Sequence, residues 1–340
     1  MSEAKVAAPY FLITVDTEGD NLWHRPRTVE TRNAERLPRF QALCERHSFR
    51  PTYLVNYEMA IAPAVRDFGK DLLARGAAEI GMHLHAWNSP PVVPLTPDDF
   101  RYQPYLAEYP EPVLREKVKF MTALLEDTFG VRMVSHRAGR WRMSAAYARA
   151  LVDHGYLVDC SVTPHISWRD KKGDPNGSGG SDYSLYPELP YFMDPADPSR
   201  PGQSPLLELP VTVISARRPI VRLLPPSLRS AGLVKRAIER LLPAHRMIPD
   251  RYNTESLPDL LPRALRQGRP YVEFAIHSSE LMPGGSPSFS TEAEVERLFD
   301  RLEALFEAAA QHRLRAATLA EYRAAFVAAR GGGLGDQPAA

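Results

Sequence analysis

A chain of 340 residues, 44% hydrophobic and 24% charged, carries enough apolar sequence for one large domain or two small ones. Its 42 Lys plus Arg nearly balance 41 Asp plus Glu. A net charge of +1 gives no global field for nucleic acid or an anionic membrane, so specificity must sit in a local site.

The N-terminal stretch Met1–Pro9 has no basic region leading into an apolar run, and no window approaches the roughly 20 apolar residues of a membrane helix. Cys44 and Cys160 suit a reducing compartment better than a disulfide framework. The expected location is therefore cytoplasmic, with no membrane insertion and no nucleic-acid partner. The sequence sets no oligomeric state.

Short apolar runs alternate with longer amphipathic ones. Strands are expected at Tyr10–Val15, Thr52–Val55, Glu79–Leu84, Met133–His136, Leu157–Val162, Leu206–Ile214 and Tyr271–Ile276, with a short one at Leu314–Leu319. Between them lie amphipathic stretches at Glu30–Arg46, Ala62–Arg75, Pro112–Thr128, Ser144–His154, Leu233–Leu242, Leu257–Arg266 and Glu292–Arg313. Residues 165–205 are rich in Pro, Gly, Ser and Asp and read as a long irregular insertion. The tail, 331–340, reads as disordered. The alternation implies a parallel sheet with helical crossovers, closed or nearly so: an α/β protein with a distorted (β/α)7-8 barrel, single domain, over residues 1–330.

In such barrels the working residues collect at the C-terminal strand ends. Four strand ends here are polar: Asp16-Thr17-Glu18, His83-Leu84-His85, His136-Arg137 and His277-Ser278-Ser279-Glu280. His83 and His85 are two apart on a strand and share a face. With a carboxylate from another strand end they form a two-His, one-carboxylate metal site. Of Asp16 and Glu18, also two apart, one can bind the ion while the other serves as general base. Arg137 suits a bidentate hold on the free carboxylate, and His277 protonation of a leaving nitrogen. An isolated H-x-H more often hydrogen-bonds in a polar rim; the neighbouring D-x-E raises the metal reading.

These segments resemble the polysaccharide deacetylase family (chitooligosaccharide deacetylase type, carbohydrate esterase family 4), over about Pro9 to Ala325. The family's T-F-D-D-G block looks like T-V-D-T-E-G here, and its H-[S/T]-x-x-H block, preceded by E-I-G, looks like E-I-G-M-H, Glu79 to His83. R-A-G-R at Arg137 and F-A-I-H at His277 stand for the later blocks. The resemblance implies Asp16 as base, Arg137 as its orienting partner and His277 as acid. Glu18 replaces the family's second Asp, where Thr17 stands. His83 is the first metal histidine; the residue four further on is Trp87, so His85 takes the second place. The implied cofactor is a divalent metal, Zn2+ first, with Co2+, Ni2+, Mn2+ or Fe2+ as alternatives. The implied substrate is an acylated amino sugar, with Trp23, Trp87, Asn88, Trp141, Asp159 and Glu280 assigned to its binding. Rival readings are an amidohydrolase on a small non-sugar amide and a non-catalytic carbohydrate-binding protein. A metal-free glycosidase using Asp16 and Glu280 comes last.

Overall fold

In the computed structural model, residues 8–216, 218–225 and 232–330 are described. The expected disordered tail and most of the N-terminal stretch lie outside them. Strand β1 (Tyr10–Thr17) is buried along almost its whole length, as a strand must be when helices cover the sheet. It pairs in parallel with β11 (Tyr271–His277), which sets Asp16 opposite His277, and on its other edge with β2 (Thr52–Val55). The parallel run continues through β3 (Glu79–Leu84), β4 (Ser135–Ala138), β5 (Val158–Asp159) and β8 (Leu207–Glu208). β12 (Arg315–Ala316) also pairs with β1, at Tyr10 and Phe11.

The helices include Leu37–Arg46, Pro63–Arg75, Glu111–Phe129, Ala145–Asp153, Leu257–Leu265, Glu292–Gln311 and Leu319–Ala329. Most helices pack their apolar faces on the strands in one large core, from Phe11 through Phe40, Met121, Phe274 and Phe306 to Leu314, while the Leu319–Ala329 helix packs with Leu12, Leu54, Val158, Leu207 and Tyr271 in a second cluster. The whole is a distorted (β/α) barrel in a single unit.

The barrel does not close by a strand ladder. The expected strand Leu206–Ile214 breaks at Pro210, which has no N–H to donate, leaving β8 and β9 (Val213–Ile214) as separate pieces. β9 instead pairs antiparallel with β10 (His245–Arg246). Closure then runs through single bonds: Met247 N donates to Thr212 O at 3.1 Å, and Ala275 N donates to Met247 O at 3.0 Å. The 165–205 insertion is not irregular throughout. Tyr191–Asp194 (β6) and Asp197–Pro201 (β7) form a hairpin whose first strand lies antiparallel to β8. Its turn is fixed by Ala196 N donating to Asp194 Oδ1 at 2.9 Å. Cys44 and Cys160 are both buried and free.

Candidate functional site

The polar strand ends meet at one mouth. Asp16 and Glu18 leave the end of β1 at 3% and 4% exposure, and His83 and His85 leave β3 equally buried. Glu18 is held by its backbone: its N–H donates to Ser278 Oγ, and its carbonyl accepts from Ser278 Oγ and from Asn33 Nδ2. The two imidazole Nε2 atoms lie 3.0 Å apart. A Glu18 carboxylate oxygen sits 3.6 Å from the first and 3.4 Å from the second.

This donor set suits a cation. His83 Nδ1 lies 3.0 Å from Arg137 O, and a carbonyl only accepts, so in neutral His83 the proton is on Nδ1 and the Nε2 lone pair faces inward. Burial first, then the neighbours His83, Arg140 and His277, hold His85 well below the ordinary imidazole range, which favours the neutral form that a metal would need. His85 Nδ1 is buried without a hydrogen-bond partner among the described residues. One proton between the rings satisfies one contact; a divalent ion satisfies both imidazoles and the carboxylate. Glu18, His83 and His85 are a group whose donor atoms all lie within 4.8 Å of one another. Gly139 permits the approach: a Cβ there would come within 2.3 Å of Leu84 O and 2.5 Å of the His85 ring.

Beside it, Arg137 is wholly buried and every arm of its guanidinium is used. Nη1 donates to Asp16 Oδ1 at 2.5 Å, Nη2 to Thr14 Oγ1 at 2.8 Å and to Glu273, and Nε to Cys160 O at 3.0 Å. Burial pushes the Asp16 carboxyl up, but Arg137, His83 and His277 outweigh it and hold Asp16 below its usual range. Glu273 competes for the same guanidinium, and burial, opposed by Arg137, leaves it pushed up to about 7.

On the other side, Glu280 Oε2 accepts from His277 N at 2.9 Å and lies 3.3 Å from His277 Nδ1. His277 Nε2 is then turned toward Asp16, 3.7 Å from Oδ2. Burial pulls His277 down, yet Glu18, Glu280 and Asp16 prevail and raise it to about 9. Trp23 packs edge-on against this imidazole at 5.0 Å, and Trp87 stacks on His85 at 4.4 Å.

Asp16, Glu18, His83, His85, His277, Glu280, Trp23 and Trp87 line one cavity of about 520 Å3 together with Trp141, Trp168 and Tyr105. Two residues assigned to substrate do not reach it. Asp159 is fully buried, bonded to His136 at 2.7 Å and to Ser161 Oγ at 2.8 Å. Asn88 is spent on Glu58, donating from Nδ2 at 2.8 Å. The sequence reading missed Glu273, and it missed Arg140, Lys171, Arg246 and Asp250, which line the cavity. Glu273 had a signal: a lone carboxylate in the apolar run Tyr271–Ile276, in phase with His277. Arg246 and Asp250 had none, because only the β9–β10 pairing brings them in.

Neither a protein-family model nor a curated protein matches this sequence. Solved structures match the fold. One, described as a "putative polysaccharide deacetylase" from Mycobacterium smegmatis, is 16% identical with a TM-score of 0.53, over 99% of this chain and 96% of the other. A second, described as a "putative glycoside hydrolase/deacetylase" from Parabacteroides distasonis, is 12% identical with a TM-score of 0.58, over 96% and 73%. Puue allantoinase is 13% identical with a TM-score of 0.51, over 94% and 89%. At these identities the likeness is one of fold: this chain has a polysaccharide-deacetylase-like barrel. Among the described residues no helix is long and apolar enough to cross a membrane.

Proposed function

We propose that this chain is a metal-dependent hydrolase that removes an N-acyl group, acetyl before any other, from an amino sugar or a sugar-containing precursor. The observation that carries this reading is the buried Glu18–His83–His85 cluster, set between an arginine-held carboxylate and a carboxylate-held histidine. Those three residues would hold the ion, with zinc the first expectation. When bound, it would supply Lewis acidity to the acyl carbonyl and acidify the attacking water.

The rest is done by side chains. Arg137 fixes Asp16 by Oδ1, leaving Oδ2 to take a proton from water as the new C–O bond forms. His277, protonated and steered by Glu280, gives its Nε2 proton to the amine nitrogen as the C–N bond breaks. Four tryptophans, Trp23, Trp87, Trp141 and Trp168, line the cavity, an aromatic lining that favours a sugar over a small amide.

The test is acetate release from N-acetylated mono- and oligosaccharides by zinc-loaded protein. Release that is lost in Asp16→Asn is the expected result. Metal-loaded protein that releases acetate from no sugar but opens a small cyclic amide such as allantoin would replace this reading with the amidohydrolase one.

A further inference from the structure

The cavity wall beyond the metal-ligating cluster carries three cations, Arg140, Lys171 and Arg246. Of the carboxylates that line the cavity, Glu18 belongs to the metal-ligating cluster, Asp16 pairs with Arg137, Glu280 with His277 and Asp250 with Arg246. The last pair is loose. Asp250 Oδ2 stands 3.7 Å from Arg246 Nη2, and among the described residues the guanidinium makes no hydrogen bond. It is half-buried, 5.7 Å from the ring centre of Trp168, and faces the cavity. Lys171, on the Trp168 loop, also lines the cavity, and its ammonium has no ion-pair partner among the described residues. Arg140 adds charge behind them. Its Nη atoms are spent on the carbonyls of Gln103 and Lys172, and it packs on Tyr105 at 4.2 Å, with no carboxylate within ion-pair distance among the described residues. Arg140 and Trp141 hold left-handed φ values of 54° and 63°, a costly backbone that aims both at the cavity.

A partly exposed guanidinium that faces the cavity with one loose ion pair and no hydrogen bond has donors free for an incoming oxyanion. We propose that the substrate carries an anionic group, a phosphate ester or a carboxylate, and that Arg246 and Lys171 bind it while Trp168 packs on the adjoining ring. This deepens the hydrolase reading, on which the place of the acyl group rests; the anion wall itself uses no residue of the metal cluster.

The experiment is calorimetric titration of the purified protein at low salt with N-acetylglucosamine 1-phosphate, N-acetylmuramic acid and inorganic phosphate, against neutral N-acetylglucosamine. At least one anion is expected to bind about tenfold tighter than the neutral sugar, a charge-assisted contact's worth. Arg246→Ala with Lys171→Ala is expected to abolish that preference without changing the circular dichroism or the metal content. A stronger response to the phosphate ester marks a phosphosugar, and to muramic acid a carboxylate-bearing one. Repeating the titrations after chelation separates the two claims, because the preference persists there even where the hydrolase reading has failed. An anion bound no more tightly than the neutral sugar, or a preference that survives in the double variant, overturns the proposal.

Discussion

His136 and Arg137 are neighbours on β4, and each anchors a polar cluster. Around His136, Asp159 lies 2.7 Å from Nδ1, Tyr147 OH 2.6 Å from Nε2, and Ser161 Oγ donates to Asp159 at 2.8 Å. Burial pushes Asp159 up, but the bond from His136 outweighs it; Glu208 alongside is pushed well up by burial and by Asp159. None of these residues lines the cavity. Around Arg137, the guanidinium is just as completely used, yet Asp16 presents its second oxygen to the cavity with Glu18, His83, His85 and His277. By residue type alone the two clusters are equally good active sites. Access separates them: a buried network with no route to a ligand holds the fold, whereas one with an oxygen turned outward is placed to act.

That contrast is open to direct attack. Asp16→Asn should lower kcat by about a thousandfold, within the range for a lost general base, and cost less stability than Asp159→Ala, because asparagine keeps an Oδ1 acceptor for Arg137. Asp159→Ala should do the reverse. Breaking a fully buried hydrogen-bonded pair costs about 3 kcal/mol of stability, read from denaturant unfolding, with kcat nearly unchanged in the folded fraction. If Asp159→Ala cost activity and spared stability, the division between the clusters would be wrong.

Glu273 tests the boundary, since it shares Arg137 with Asp16 but does not line the cavity. As a positioning residue, Glu273→Gln should reduce kcat by about tenfold at constant KM, through a looser Asp16. A purely structural Glu273 would change the melting temperature alone. Glu280→Gln removes one of the carboxylates that raise His277 from 6.5 to about 9. His277 must be protonated to act as acid, so activity should fall as pH rises through its pKa. In Glu280→Gln that alkaline limb should move to lower pH. The smallest effect expected is from Trp23→Ala, a several-fold rise in KM from a lost ring face.

Much of the frame was legible because period and position carry it. The runs at Tyr10, Glu79 and Tyr271 are buried parallel strands, and their polar ends are where barrel geometry concentrates chemistry. The H-x-H spacing placed both imidazoles on one face, which no single residue would have announced. The substrate side was less legible. The family resemblance assigned Asp159 to substrate, but its side chain turns into a closed network that only packing reveals. The irregular closure around Pro210 brings in Arg246, and the Trp168 loop brings in Lys171. Neither segment carries a periodic pattern, so nothing in their sequence sets them opposite the histidines.

The most direct measurement of the central claim is metal content by elemental analysis of the purified protein and of His83→Ala. The account predicts about one equivalent of a divalent metal, zinc first, in the wild type and its loss in the variant, with the fold retained by circular dichroism. No bound metal in the wild type, even after reconstitution with divalent ions, would contradict it and leave the Glu18–His83–His85 cluster without the role assigned here.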